Sequence, residues 1–153
     1  MKVVTIIDED FINYKKAAMY IAFPNCTFKC GKDLCQNSPL AKQERVEISY
    51  DSIINRYLKN NYTDAIVFAG LEPFDSWEDM KELIHKFRVY TSDDIVIYTG
   101  YDYEEINYAI NYLQQYINII IKYGRYIPNQ EPHYDEILGV KLASYNQYAE
   151  RIS

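Results

Sequence analysis

Three cysteines lie within ten residues of one another, and they are the only cysteines in the chain. Cys26, Cys30 and Cys35 have the spacing C-x3-C-x4-C. An odd number of thiols in one short loop is not typical of a disulfide framework, and thiolates at such spacing are normally ligands of a metal or an iron-sulfur cluster. A closed structural zinc site or a simple electron-transfer cluster needs four protein ligands. The pattern therefore predicts a metal centre with one position open to a ligand that is not protein.

A zinc site completed by a histidine is the alternative for the same cysteines. His133 is the residue that would serve as the fourth ligand. Because it is distant from the cysteines in the chain, its spacing gives this alternative little support.

Composition and charge exclude several classes of partner. The chain has 153 residues, of which 48% are hydrophobic and 25% charged, and this predicts one domain over residues 1–153. The net charge of -6 and the lack of clustered Lys and Arg argue against nucleic acid and against an anionic membrane. Acids at Asp8, Glu9 and Asp10 stand where a signal peptide would need its apolar stretch, and no apolar run is long enough to span a membrane. We expect a cytoplasmic protein, where thiols stay reduced.

Short apolar runs alternate with amphipathic helices along most of the chain. Apolar runs are predicted at residues 17–23, 65–68, 95–98 and 117–121. Helices are predicted from near Ser49, with Leu58 on the apolar face, from Asp75 or Ser76, and from Asp102, with Glu105 at capping-box spacing. This alternation predicts an α/β fold with a mostly parallel sheet.

The positions of the unusual polar turns predict one composite site. The cysteine loop, AGLEP (residues 69–73) and TGY (residues 99–101) each follow an apolar run directly. Ligands in parallel α/β folds bind outside the carboxyl ends of the strands. All three turns are therefore expected at the same edge of the sheet.

Taken together and in this order, the motifs resemble those of a known family. CTFKC, FAGLEPF, IYTGYDYEEI and LASYNQ look like the activating enzyme of the anaerobic ribonucleotide reductase, a small radical S-adenosylmethionine (SAM) protein. The resemblance extends from about Ala17 to Gln147. It implies an open partial (β/α) barrel of the radical SAM type.

The family resemblance implies a role for each matching residue. Three cysteines of the family hold a 4Fe-4S cluster, which assigns the metal to Cys26, Cys30 and Cys35, and SAM chelates the fourth iron. The strand-end motif that receives the methionine amino group matches a run of cofactor-binding positions, and the next strand end would lie near the nucleoside. The cofactor-binding residues implied in this way are Leu34, Ala69, Gly70, Glu72, Pro73, Thr99 and Gly100. Gly70 is expected to let backbone carbonyls approach the ligand, because it has no Cβ.

The same resemblance implies the reaction and the partners. An electron from the reduced cluster would cleave SAM, and the resulting 5′-deoxyadenosyl radical would take a hydrogen atom from a glycine of a partner protein. That partner would be the large subunit of an anaerobic ribonucleotide reductase, and the electron would come from an external one-electron reductant.

The chain departs from the family pattern at several positions. The usual spacing is C-x3-C-x2-C with an aromatic residue before the last cysteine, whereas here four residues intervene and that neighbour is Leu34. Ala69 replaces the first glycine of the GGEP motif, and Leu71 is an extra residue. Many relatives have Asp before the glycine that follows the fourth strand, where this chain has Tyr123.

Chain length bears on the substrate. A complete eight-unit barrel needs about 250 residues, so 153 residues predict an open sheet that a protein surface could close. Two other functions remain compatible with the residues: another radical SAM enzyme that modifies a peptide or small molecule, and a non-catalytic zinc or iron-sulfur binding module.

Overall fold

The computed structural model describes residues 1–26 and 38–153, so that Cys30, Leu34 and Cys35 lie outside the described residues. The helices are α1 (Ser38–Ala41), α2 (Tyr50–Lys59), α3 (Trp77–Tyr90) and α4 (Tyr103–Leu113), and a 3-10 turn (Pro73–Ser76) precedes α3. The strands are β1 (Lys2–Val3), β2 (Thr5–Asp10), β3 (Ala18–Phe23), β4 (Val46–Glu47), β5 (Ala65–Gly70), β6 (Asp94–Tyr98), β7 (Ile119–Tyr123), β8 (His133–Asp135), β9 (Val140–Leu142) and β10 (Tyr148–Arg151).

Six strands form one mixed sheet in the order β10-β7-β6-β5-β3-β2. The four central strands, β3, β5, β6 and β7, are parallel, while β2 and β10 pair antiparallel at the two edges. The predicted α/β class with a mostly parallel sheet is confirmed. The two antiparallel edge strands were not predicted, because β2 is rich in acids and β10 has only four residues.

Helices α2, α3 and α4 pack against one face of the sheet. The starts of α2 and α4 are as predicted: Ser49 Oγ accepts from the Ser52 N–H at 3.1 Å, and the Glu105 side chain accepts from the Asp102 N–H at 3.1 Å. The apolar face of α2 is narrower than predicted, since Leu58 is exposed. No side-chain cap from Ser76 is formed at α3, because the preceding 3-10 turn continues directly into the helix.

The opposite face of the sheet has a smaller core of its own. Here Ala18, Val67 and Val96 pack against Tyr14 and against the segment around β8 and β9, whose buried members are Leu138 and Leu142. Antiparallel pairing joins β8 to β9. Because this segment covers the face only in part, it leaves space near the carboxyl ends of the parallel strands, where the cavity described below lies. Within the described ranges, no helix is both long and apolar enough to cross a membrane.

Candidate functional site

A cavity of about 340 Å³ lies at the carboxyl ends of the parallel strands. Its wall includes Cys26 after β3, the end of β5 and the turn after β6, and the predicted cofactor-binding residues that border it are Ala69, Gly70, Glu72, Thr99 and Gly100. Pro73 does not border the cavity; it is buried at the start of the 3-10 turn. The structure thus brings three separate sequence motifs together around one space, as the order of strands and turns predicts.

The buried carboxylate of Glu72 connects the ends of two strands. Its Oε1 accepts from Thr99 Oγ1 at 2.8 Å and from the Phe74 N–H at 3.1 Å, and its Oε2 accepts from the Gly100 N–H at 2.9 Å. The Glu72 N–H donates to the Asn25 carbonyl oxygen at 2.8 Å. Glu72 therefore holds the turn after β6 and the loop after β3 in a fixed relation to the end of β5.

The loop that carries Cys26 is held by two further side chains. The Asn25 side-chain amide donates to Ser76 Oγ at 3.0 Å, and the Arg45 guanidinium donates to the Pro24 carbonyl oxygen at 2.8 Å. Hydrogen bonds to this loop from two distant parts of the chain fix the direction in which it leaves β3. The position of Cys26 at the cavity follows from that direction.

Gly70 is required by the neighbouring strand. Its φ is +87°, and a Cβ at this position would lie 2.6 Å from Ala22 Cα and 2.6 Å from the Phe23 nitrogen. Both contacts are with backbone, which cannot move aside as a flexible side chain would. The sequence predicts that Gly70 allows a ligand to approach closely. The structure shows a further requirement, because any side chain at this position would clash with the backbone of β3.

Lys122 is a cavity residue that the sequence did not reveal. It is buried, and its Nζ donates to the carbonyl oxygens of Gly124 at 3.0 Å and Thr99 at 3.3 Å. Burial lowers the pKa of Lys122 to about 8, and this effect outweighs the attraction of Glu72. The one feature of the sequence that could have indicated this buried lysine is its position directly after three isoleucines. Successive side chains on a strand point to opposite faces, so Lys122 faces the cavity and Tyr123 packs on the helix side.

The motif near the end of the chain closes one wall of the cavity. Gln147 donates to the Gly124 carbonyl oxygen at 3.2 Å and accepts from the Ser144 N–H at 3.1 Å. Asn146 donates to the Arg125 carbonyl oxygen at 2.8 Å. The end of β7 is therefore held in place by side chains from the segment that resembles the family ending.

Of the three cysteines predicted to bind the metal, the structure describes only Cys26. Cys26 borders the cavity, whereas Cys30 and Cys35 fall outside the described residues. Within residues 1–26 and 38–153, no group of three or more His, Cys, Asp and Glu side chains could hold a metal ion.

We expect Glu72 to make stability depend on pH. Burial raises its pKa to about 7, although hydrogen bonds from Gly100, Thr99 and Phe74 act in the opposite direction. A raised folded-state pKa stabilises the fold fully below the unfolded value and loses that contribution as pH rises through about 7. From about pH 5 to pH 8 the unfolding free energy should fall by about 3 kcal/mol more in the wild type than in Glu72→Gln.

Urea titrations of both proteins across this pH range, before any metal is added, measure the difference. Lys122, whose pKa of about 8 lies at the upper end of this range, is present in both proteins, and the comparison below about pH 7 is free of its titration. Parallel pH dependences in the two proteins would contradict the prediction.

Comparison with known proteins gives one match. A family model described as a 4Fe-4S single cluster domain matches residues 16–147, which is most of the chain and includes all three cysteines. Neither the search of curated proteins nor the search of solved structures found a match.

Proposed function

Because the chain belongs to the family of 4Fe-4S single cluster domains, we propose that its cluster serves radical SAM chemistry and that the protein is a glycyl-radical activase. Its partner would be the large subunit of an anaerobic ribonucleotide reductase. The observation that carries the proposal is the placement of Cys26 beside the Gly70–Glu72 turn and the Thr99–Gly100 turn around a single cavity. The open six-stranded sheet would then be a part of a radical SAM-type barrel.

The donor set of the chain fits a cluster with one open iron. Three thiolates are the only cysteine ligands in the sequence, and a cluster of four irons held by three of them keeps one iron for an exogenous ligand. When bound and reduced, such a cluster supplies the electron that cleaves SAM. Thiolate ligands also fit a reducing compartment, so the proposal places the protein in the cytoplasm.

The cavity suits a cationic ligand of the size of SAM. Its volume of about 340 Å³ lies near the lower end of small-molecule sites. SAM carries a sulfonium and an ammonium group, and a cation near Glu72 would favour the ionised form of that buried carboxyl. Within the described residues Glu72 forms no direct salt bridge, and Lys122, which attracts it, donates its hydrogen bonds to carbonyl oxygens, so the carboxylate can help to balance a cationic ligand.

The size of the cavity also favours a protein substrate over a second small molecule. A volume of about 340 Å³ that holds SAM leaves no comparable enclosed space for a further metabolite. A substrate must then reach the site from outside, at the carboxyl edge of the sheet. A protein loop that carries a glycine can do so, and its surface would exclude water from the reaction.

The proposal is tested with anaerobically reconstituted protein, SAM and dithionite as the reductant. We expect brown protein with broad visible absorption and the formation of 5′-deoxyadenosine. With the partner reductase added, a doublet EPR signal should appear on the reductase, and replacement of its radical-site glycine by alanine should remove it. Colourless zinc protein would overturn the proposal, as would SAM cleavage that never yields a radical on any glycyl-radical partner.

A further inference from the structure

At the edge of the sheet, β10 has one face that no helix of the described residues covers. This face is on the same side of the sheet as Tyr123. Tyr148 and Glu150 of this strand are exposed, and Tyr103 at the start of α4 lies beside them. Tyr103 and Tyr148 both pack near the buried Tyr123 ring, with centroid distances of 6.3 Å and 5.0 Å. We call this face the Tyr148 surface and define it by Asp102, Tyr103, Glu104, Tyr148 and Glu150.

The Tyr148 surface adjoins the cavity along the chain at three points. Gln147 borders the cavity and immediately precedes Tyr148. Gly124 borders the cavity and follows Tyr123, the residue that pairs with Tyr148 across the sheet. Gly100 borders the cavity two residues before Asp102. A protein bound on this surface would therefore lie beside the cavity wall at the edge of the sheet, on the side to which Tyr123 and Tyr148 point.

The charge of the Tyr148 surface indicates what kind of segment it binds. No lysine or arginine in residues 1–26 and 38–153 forms an ion pair with Asp102, Glu104 or Glu150. Arg125, a basic residue near this turn, is held by Glu105 through two hydrogen bonds of 2.8 Å and 2.9 Å. The surface thus presents three carboxylates that form no ion pair within the described residues, and of these Asp102 also attracts the charge of Arg125.

Tyr148 lies within the field of these carboxylates. Burial is the largest cause that raises the pKa of Tyr148, and the charges of Glu150, Glu104 and Asp102 raise it further. Rings in such surroundings bind guanidinium groups through their faces, while the carboxylates accept the N–H groups of the same side chains. Arginine offers both kinds of contact and fits better than lysine.

A partner is not expected to bind here by adding a strand to the edge of β10. The Ala149 N–H, which points away from β7, already donates to Asp135 Oδ2 at 3.1 Å. At Ala149 the outer edge of β10 is thus capped by Asp135, the last residue of β8. The occupant must bind through side chains on the face, and not by extension of the sheet.

We propose that the Tyr148 surface docks an arginine-bearing segment of the protein whose glycine enters the cavity, an inference that rests on the proposed function. Complementary charge on the partner would steer encounter and fix the orientation of the complex, which is the usual effect of charges at the rim of an interface. An acidic surface beside the cavity wall would also reject partners with acidic segments.

The probe is a fluorescein-labelled decapeptide of alternating arginine and serine, with a glutamate-serine peptide as its counterpart. Fluorescence anisotropy with the full chain should show binding of the arginine peptide that weakens at about 0.5 M salt. The double variant Glu104→Gln/Glu150→Gln should bind it about fivefold less tightly, and Tyr148→Leu should also weaken it. When the arginine peptide is added to isotopically labelled protein, the amide chemical shifts that change in NMR spectra should be those of residues 102–104 and 148–150.

The matched control changes the net charge of the protein by the same amount, but at positions outside the Tyr148 surface. Glu44→Gln/Glu136→Gln removes two exposed carboxylates outside the Tyr148 surface and should leave the affinity within about twofold. The charge-reversed variant Glu104→Lys/Glu150→Lys should prefer the glutamate peptide. Equal loss in the control, absence of binding, or amide shifts that map elsewhere would overturn the proposal.

A separate measurement distinguishes this proposal from the proposed function. Cleavage of SAM with dithionite needs no partner, so the Glu104→Gln/Glu150→Gln protein should cleave SAM at the wild-type rate. If peptide binding fails while SAM cleavage is normal, the docking proposal is wrong and the enzymatic one stands. If wild-type protein does not cleave SAM but binds the peptide as described, the proposed function is wrong and the surface assignment stands.

Discussion

Replacing Cys26 by alanine is expected to lower SAM cleavage by more than about a hundredfold, since even the loss of an outer-shell partner of a metal ligand costs up to that factor. The same result is expected for Cys30→Ala and Cys35→Ala. Each change removes one of the only three thiolates in the chain, and among the described residues no cluster of other ligands could replace it. Iron content, visible absorption and 5′-deoxyadenosine formation are measured on reconstituted protein.

The fold should persist in these variants, because the buried cores of the sheet do not include Cys26. Far-UV circular dichroism checks this. His133→Ala is the matched control: it should keep its iron and its activity if the cluster has three cysteine ligands, whereas a zinc site closed by His133 would lose its metal. Normal iron content and activity in Cys35→Ala would show that the widened spacing does not supply the third ligand.

Gly70→Ala is expected to lower the unfolding free energy by about 3 kcal/mol or more. The added Cβ would lie 2.6 Å from the backbone of β3, and a φ of +87° is unfavourable for any residue with a side chain. Both penalties act at the junction between β3 and β5, where the neighbouring atoms are backbone. Urea denaturation of the metal-free protein measures the effect.

Gly100→Ala is the control for this prediction. A Cβ at Gly100 would have its nearest neighbours at 3.5 Å and 3.7 Å, which are Arg125 Cγ and Glu72 Oε2. We expect a change in stability within about 1 kcal/mol, whereas affinity for SAM should fall because Gly100 borders the cavity. Equal stability losses in Gly70→Ala and Gly100→Ala would contradict the role assigned to the β3 contact.

The sequence was sufficient for the central elements and for their order. Apolar runs near Ala18, Ala65, Ile95 and Ile119 became the parallel strands, because each run is long enough to be buried on both faces. The edge strands could not be predicted in this way. An edge strand is partly exposed, so its side chains carry no continuous apolar pattern.

The sequence also identified residues that meet at the cavity, and the structure adds contacts that the sequence did not specify. Glu72 was expected at the cofactor, and in the structure its carboxylate accepts three hydrogen bonds that join strand ends. Gly70 was assigned to ligand approach, and its first constraint is the backbone of β3. Both roles depend on neighbours distant in sequence, which a local pattern does not specify.

What the sequence alone determined is the motif of three closely spaced cysteines and the placement of polar turns at the ends of parallel strands. Ligand identity and spacing are local properties, and parallel strands bring their carboxyl ends to one edge whatever the details of packing. Only the tertiary structure showed that Lys122 faces the cavity, that Ser144 to Gln147 close its wall and that the Tyr148 surface is uncovered. These features arise where β7 meets the last strand, because antiparallel return of the chain places residues side by side that no short-range pattern connects.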